Sequence, residues 1–255
     1  MTLLPKPEHW RDRSLMLAFA ILLFGASAVA AAVMTLDRVQ RGEYLTAAIT
    51  FGGSVFAVCA TLAVVRGRFM TLPLRSRPDP LGTVLLPDLV ALWLVGMLSA
   101  AAIPSGLLFV IFVPRGVVDL PMSPGQRIFS PILIGLLVVF AAGGLIAMTI
   151  RRGGGHLRLT PDGFENVELH GSRKGTWNDV TDIVDQASDK SVRHPIVFVM
   201  SNGKPIVIKN ASGYAPSGAA LYWMVRHYWL HPENRDELID GRALDRLRNE
   251  QFEPE

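Results

Sequence analysis

The segment IFSPILIGLLVVFAAGGLIAMTIRRGGG, residues 128–155, decides the fold class of this chain of 255 residues. Residues 128–150 contain no charged side chain. About 20 apolar residues in a helix are enough to cross the hydrocarbon core of a bilayer. Two arginines and three glycines follow at once, and beyond them polar and apolar residues are mixed as in a water-soluble domain. The sequence therefore predicts a membrane domain over residues 1–150 and a second domain over residues 151–255.

Three more apolar segments precede this one, at residues 14–36, 44–65 and 89–113. Because every backbone polar group in a bilayer must be satisfied within its own segment, the four segments predict helices that form an all-α transmembrane bundle. The first segment has a basic start and small residues, as a signal peptide does. However, its apolar stretch exceeds the usual signal core of about 7–15 residues, which favours a retained span.

Basic residues are concentrated on one side of the four predicted spans. That side carries Lys6, Arg11, Arg13, Arg66, Arg68, Arg75, Arg77, Arg151 and Arg152, whereas the other side carries Arg38, Arg41, Arg115 and Arg127. Because cytoplasmic loops are enriched in Lys and Arg, we expect a multi-pass cell-membrane protein with both termini in the cytoplasm. The candidate contacts with the membrane surface are Arg66, Arg68, Arg75, Arg77, Arg151 and Arg152.

The predicted spans contain no Asp, Glu, Lys, Arg or His. Buried ionisable groups are the usual elements of proton relays, metal sites and general acid–base catalysis in membranes. We therefore expect no enzymatic activity and no cofactor. Asp88 is expected to cap the third span, Pro104 interrupts that span and is expected to kink it, and Cys59 is expected to be a buried apolar residue.

The net positive charge lies in the membrane half. Residues 1–150 hold 11 Lys and Arg against 7 Asp and Glu, and residues 151–255 hold 14 against 15. Nucleic-acid-binding domains carry a clustered basic surface, which this nearly neutral tail lacks. The composition therefore argues against a nucleic-acid partner.

Short alternating segments in the tail predict six strands, at residues 156–160, 164–169, 173–177, 180–186, 195–200 and 204–209. Pro161-Asp162-Gly163 and Asn202-Gly203 supply turn residues between them. Apolar residues at helical spacing predict a helix over residues 217–230, and a second, charged helix is expected over residues 233–248. We expect the tail to fold by itself.

The LRLTPDGF stretch at residues 157–164, the WNDV stretch at residues 177–180 and the Asn202-Gly203 hairpin resemble bacterial pleckstrin-homology-like (PH-like) domains. The whole chain is similar to polytopic membrane proteins of actinobacterial type that carry such a tail. This resemblance, which covers about residues 156–230, implies an α+β half-open β-barrel capped by a helix. It implies a fold and no particular activity.

The residues that bind phosphoinositides in the wider superfamily have no clear counterpart in this tail. Those relatives carry clustered Lys and Arg around the first two strands, where this chain has the acidic turn Pro161-Asp162-Gly163. Arg173-Lys174 is the one basic pair available, so selective headgroup binding is not expected. The histidines are scattered along the tail, and we expect no metal site.

Four aromatic residues of the predicted helix, Tyr222, Trp223, Tyr228 and Trp229, are the candidate partner contacts. Core packing accounts for part of this aromatic density, and contact with the membrane interface or a partner is the alternative. The leading hypothesis is a membrane-anchored interaction or scaffold protein that presents the tail to a protein partner or to a second copy. The alternative is an accessory subunit of a transporter or channel.

Overall fold

The computed structural model describes residues 4–10, 14–70, 73–77, 79–150, 155–168, 171–189 and 192–254. For Ser14 and Arg68 it describes the backbone and not the side chain. Several basic residues of the sequence analysis lie outside the described residues: Arg11, Arg13, Arg151, Arg152 and the side chain of Arg68.

Four long apolar helices are present in the first 150 residues, as the sequence predicts. They are α1 (Ser14–Gln40), α2 (Tyr44–Phe69), α3 (Leu89–Phe112) and α4 (Pro124–Ile150). Each is long and apolar enough to cross a membrane. Three of them extend beyond the predicted spans because polar residues continue the helix at its ends, and α3 continues through Pro104.

The four helices and the connections between them form one compact unit, which spans Arg13–Met70 and Leu89–Gly153 and is called the helical unit. Among its described residues, extensive packing joins consecutive helices only: α1 to α2, α2 to α3 and α3 to α4. The predicted bundle is therefore an open row, with α1 and α4 at its two ends. Accordingly, α2 is the most buried of the four helices.

Hydrogen bonds from hydroxyl groups connect α1 to α2. Thr35 of α1 donates a hydrogen bond of 2.8 Å to Thr50 of α2, and Ser54 of α2 donates one of 3.2 Å to the carbonyl of Ala28. At one end of the row, Arg38 pairs with Glu43 at 2.7 Å and with Asp119 at 2.6 Å. Arg38 thus joins the α1–α2 and α3–α4 connections.

The second compact unit, called the composite domain, consists of the described residues of Met1–Asp12, Thr71–Asp88 and Gly154–Glu255. It contains more than the predicted second domain, because two segments from residues 1–150 belong to it. One segment precedes α1 and the other connects α2 to α3. No local sequence pattern before α1 or between α2 and α3 indicates this arrangement.

Eight strands form two antiparallel sheets in the composite domain. The first sheet has the order β1 (Ser76–Arg77), β2 (Thr83–Leu85), β3 (His156–Leu159), β4 (Gly163–Glu168) and β5 (Gly171–Thr176). The second has the order β6 (Val180–Val184), β7 (Ile196–Met200) and β8 (Ile206–Ile208). The six predicted strands are thereby confirmed with ends shifted by a few residues, and β1 and β2 are additional.

The two sheets do not close into a barrel. Within the described residues no strand of the first sheet pairs with a strand of the second. The sheets instead share one core with α5 (Gly218–Leu230), whose inner face is lined by fully buried Leu221, Met224 and Tyr228. The structure thus has two sheets and a packed helix where a half-open barrel with a capping helix was expected.

The connection between α2 and α3 is held on β3 by a strand pair and by side chains. Residues 83–85 pair in antiparallel register with residues 157–159. Asp79 forms an ion pair with Arg158 at 2.5 Å. The Thr83 hydroxyl donates a hydrogen bond to the carbonyl of Leu238 at 2.8 Å. Leu85, at the end of β2, is fully buried in the core. This segment is therefore a structural part of the composite domain.

The charged helix predicted over residues 233–248 is divided into two. α6 (Glu237–Asp240) and α7 (Arg242–Arg248) are separated by Gly241, which has a φ of +89°. A left-handed residue ends a helix, and glycine adopts this conformation without steric cost. The prediction of one continuous helix was wrong because the periodicity of the leucines concealed this break.

Gly82 provides a test of the docking of β2 on β3. A Cβ atom at this position would collide with the carbonyl oxygen of Leu159, which belongs to the backbone and cannot rotate away. We expect Gly82→Ala to destabilise the composite domain by about 1–3 kcal/mol, the usual cost of overpacking.

Gly171→Ala is the matched control, because a Cβ atom there meets nothing within 4 Å. Thermal unfolding of the full chain in detergent measures both variants. Equal unfolding temperatures for the two variants would contradict the close approach at Gly82.

Candidate functional site

The candidate site is a groove between α5 and the end of β6, occupied by residues 4–10. α5 begins at Gly218 because the Ser217 side chain accepts a hydrogen bond from the backbone N–H of Ala220, which satisfies one of the free donors of the first turn. It ends before His231-Pro232, since proline cannot continue the preceding helical hydrogen bonds.

α5 is fixed to β6 by side-chain donors. Tyr222 and Arg226 both donate to the carbonyl of Ile183, at 3.3 Å and 2.9 Å, and Trp229 donates to the carbonyl of Val180 at 3.2 Å. β6 pairs with β7 on its other side. An unpaired strand edge is a site of unwanted association, and these donors cover part of it. The polar ends of the helix side chains therefore have a structural role.

Trp10 anchors the segment in the groove. Its ring stacks on His194 at 4.8 Å between centroids and meets the Tyr222 ring edge-on at 6.1 Å. Its indole N–H donates to the carbonyl of Pro195 at 3.1 Å, and only 7% of the residue is exposed. Both the ring and the polar N–H are thus satisfied, as a buried tryptophan requires.

Three further contacts hold the rest of the segment. The indole N–H of Trp223 donates to the carbonyl of Pro5 at 2.9 Å. Asp185 accepts two hydrogen bonds from His9, one from the backbone N–H at 2.9 Å and one at the ring Nδ1 at 2.8 Å. The segment is therefore fixed at both ends and in its middle.

An open cleft of about 480 Å³ remains beside the segment. Its charged lining is mixed, with Lys6 and Arg226 opposed by Glu8, Asp182 and Asp185. Such a lining gives no preference for a strongly charged ligand of either sign. The cleft is suited to an uncharged or zwitterionic chain, as a peptide backbone is.

A second polar cluster lies where α5 meets α7. Glu237 accepts hydrogen bonds from Tyr228 and from Arg246, both at 2.9 Å. Burial by itself raises the pKa of Glu237, but these two donors outweigh it and hold that pKa below its ordinary value. Burial together with the Glu237 carboxylate raises the pKa of Tyr228, so this phenol is a neutral donor. The cluster fixes helix to helix.

His227 and His231 lie beside this cluster and line a cleft of about 460 Å³ with Arg246 and Phe252. The Nε2 atom of His227 lies 3.2 Å from the guanidinium of Arg246, which can only donate. Nε2 is therefore placed to accept a hydrogen bond from Arg246. Within the described residues no group of three His, Cys, Asp or Glu could hold a metal ion.

The four predicted partner contacts divide into two pairs. Tyr228 is fully buried and Tyr222 is 6% exposed, so both belong mainly to the core. Trp223 and Trp229 are half-buried and keep part of their rings at the surface. The structure thus leaves the two tryptophans, and not the two tyrosines, available to a partner.

Three described residues among those predicted to contact the membrane surface lie in different elements of the chain. Arg75 donates to the carbonyl of Pro87 at 3.0 Å, and Arg77 lies in β1. Arg66 lies in the last turn of α2, 3.6 Å from the sulfur of Met70. In the composite domain Arg173 and Lys174 lie exposed on β5, and Lys174 pairs with Glu165 at 3.2 Å.

The sequence analysis missed residues 4–10 as part of the site. It considered Lys6 only as a topological signal and did not use Leu4 and Trp10. Two prolines two residues apart, with an apolar residue before them and a tryptophan after them, were the available signal, because prolines favour an extended chain that can lie in a groove. Comparison of the chain with protein-family models, with curated proteins and with solved structures finds no match.

The carboxylate at the centre of the second cluster predicts a change in acid stability. A group whose pKa is lowered by folding stabilises the folded state above its ordinary pKa, and this contribution is lost as the pH falls through the folded value. We therefore expect Glu237→Gln to lose less stability than the natural chain between about pH 5 and pH 3, near the ordinary Glu pKa of about 4.3.

Thermal unfolding of the full chain at several pH values measures this difference. Glu253→Gln, which replaces an exposed carboxylate near the end of the chain, is the control and should follow the natural protein. If Glu237→Gln showed the same acid destabilisation as the natural chain, the assigned role of Glu237 would be wrong.

Proposed function

We propose that this protein is a membrane-anchored scaffold that presents the composite domain to a protein partner in the cytoplasm. The observation that carries this proposal is the origin of the domain in three segments of one chain. They come before α1, between α2 and α3, and after α4. Two predicted membrane crossings separate each segment from the next. Four crossings would therefore leave all three segments on the same side of the membrane, where they can form one domain.

The side of the membrane follows from charge. If the four helices span a bilayer, the composite domain occupies the side that carries Lys6, Arg66, Arg75 and Arg77. The other side has fewer basic residues, and Arg38 there is neutralised by its two carboxylate partners. The positive-inside rule therefore favours a cytoplasmic composite domain and cytoplasmic termini.

A PH-like fold is part of this proposal. Support comes from the two antiparallel sheets of three tail strands each, followed by one packed helix, α5. Domains of this architecture serve many unrelated functions, so the argument for partner binding rests on the surface of this chain. That surface is the outer side of α5, where Trp223, Arg226, Trp229 and Leu230 are partly or largely exposed.

The α5 surface has the composition of a protein interface. Tryptophan and arginine are enriched among the residues that dominate binding energies. Arg226 also lies over the Trp229 ring, 5.9 Å from its centroid, which holds both side chains in place. Preorganised side chains lose less entropy when a partner binds.

An accessory subunit of a transporter or channel is the second candidate, and the open row of helices favours it. In α4 the buried residues are Pro131 and Val138, and most of its apolar side chains are exposed. A second membrane protein could cover such a face.

Leu230 provides the test of the scaffold proposal. The residue is 39% exposed at the end of α5, so Leu230→Asp should leave the fold intact and place a charge in the interface. We expect the tagged full chain, purified in mild detergent, to retain its partner, and the variant to retain at least about tenfold less, equivalent to about 1.4 kcal/mol.

Ile239→Asp is the matched control, because Ile239 is 48% exposed on α6 of the same domain. It should retain the partner fully. A partner that remained bound to the Leu230→Asp chain, or one lost equally from both variants, would contradict an interface on α5.

A further inference from the structure

Residues 4–10 contact the groove with every third side chain. Leu4, Pro7 and Trp10 are buried, whereas Pro5, Lys6, Glu8 and His9 are exposed. Between Leu4 and Pro7 this spacing suits the polyproline II helix, which has three residues per turn and no internal hydrogen bonds. The chain then turns at Glu8-His9, where the N–H of Trp10 donates to the carbonyl of Pro7 at 3.3 Å.

The groove offers this segment the groups that recognise proline-rich chains. Proline has no backbone N–H, so its backbone offers only the carbonyl as a hydrogen-bond acceptor. Grooves lined by aromatic residues bind proline-rich chains. Here the indole N–H of Trp223 meets the carbonyl of Pro5, and the Tyr222 and Trp223 rings lie edge to face at 5.1 Å between centroids. Both rings belong to α5.

The segment is held differently from the strands around it. Among the described residues it shares no strand ladder with either sheet. Its hydrogen bonds to the rest of the domain run to side chains or to single carbonyls, including one from the N–H of Leu4 to the carboxylate of Glu250 at 3.3 Å. These are the contacts of a docked peptide.

We propose that the groove between α5 and the end of β6 is a binding site for proline-containing peptides that end in a turn, and that residues 4–10 occupy this groove in cis. The ligand is a segment of a partner protein with an apolar residue, a proline and a tryptophan at every third position. A basic or imidazole side chain before the tryptophan is favoured by Asp185. This proposal rests on the proposed function and specifies the partner of the same α5 surface.

The open cleft next to the segment fits this assignment. Of its about 480 Å³, one wall is the segment itself and the other is formed by Asp182–Asp185 and by Tyr222, Trp223 and Arg226. A partner peptide that enters here would contact Trp223 first and could then replace the segment. Competition with the cis segment would keep the affinity for weak ligands low.

The experiment uses the full chain with a protease site inserted between Asp12 and Arg13. Cleavage turns the segment into a separate peptide that can be washed from the detergent-solubilised protein. A labelled peptide of residues 2–12 is then titrated, with fluorescence anisotropy as the measurement. We expect the washed protein to bind it at least about tenfold more tightly than the uncleaved protein, whose groove is occupied.

Three variant peptides test the assigned pattern. Replacing Trp10 by Ala should abolish binding, and replacing the exposed Glu8 by Ala should leave it unchanged. A peptide that keeps Leu4, Pro5, Pro7, His9 and Trp10 but has serine at the other positions should bind like the natural one. If this serine peptide did not bind, the groove would read the particular sequence and the proposed partner class would be wrong.

Other outcomes would also overturn the proposal. Unfolding of the composite domain after the wash, seen as loss of its thermal transition, would show that the segment is an integral part of the core. Equal binding to cleaved and uncleaved protein would show that the peptide binds elsewhere. Association of two differently tagged uncleaved chains that depends on Trp10 would assign the groove to a second copy. None of these outcomes changes the expected effect of Leu230→Asp, so the two proposals can fail separately.

Discussion

The antiparallel pairing of β2 with β3 is the interaction on which the rest of the composite domain depends. It joins only three residues of each strand, yet Leu85, Leu157 and Leu159 are all fully buried there. Burial of each such side chain contributes about 1.5–3 kcal/mol, more than the net contribution of a backbone hydrogen bond. Without β2, the strand β3 would be an edge of the sheet with unpaired backbone groups. β1 ends the sheet after only two residues, and a short edge strand is one way to prevent further association.

The composite domain is covalently continuous with the helices of the chain. Asp88 belongs to the domain and Leu89 begins α3, and only three residues separate the buried Trp10 from the start of α1. A ligand that displaces residues 4–10 therefore acts on a segment that continues directly into α1. Under the proposed function, binding of such a ligand is thermodynamically linked to the position of α1 if displacement of the segment changes that position.

Features with a local sequence period could be predicted, and features that depend on distant contacts could not. The four apolar helices and the six tail strands follow from runs and alternations within a few residues. β1 and β2 are too short to show an alternation, and Pro73, Pro80 and Pro87 make their surroundings resemble a loop. The strand conformation of β2 comes from pairing with β3, about 70 residues later, and β1 in turn pairs with β2. No local pattern reports the contact between β2 and β3.

Only part of the candidate site could be predicted, because the rest also depends on distant contacts. The aromatic residues of α5 were identified, but sequence spacing alone could not separate Tyr228, which is in the core, from Trp223, which reaches the groove. The role of Trp10 depends on contacts with His194 and Tyr222, far away in the chain. A single tryptophan next to a basic membrane-flanking segment gives no such information. The break at Gly241 likewise depends on a backbone conformation that glycine permits but does not require.

Hydrogen exchange of the full chain in lipid nanodiscs tests most directly whether the three segments form one domain. Amides of core elements exchange through global unfolding, whereas those of loops exchange through local opening. We expect residues 83–85 to exchange as slowly as β3 and β4. We also expect Phe198→Ala, a cavity-forming change in the core, to accelerate exchange in all of these strands together. Fast exchange of residues 83–85 that is insensitive to Phe198→Ala would contradict the assembly of one domain from the three segments.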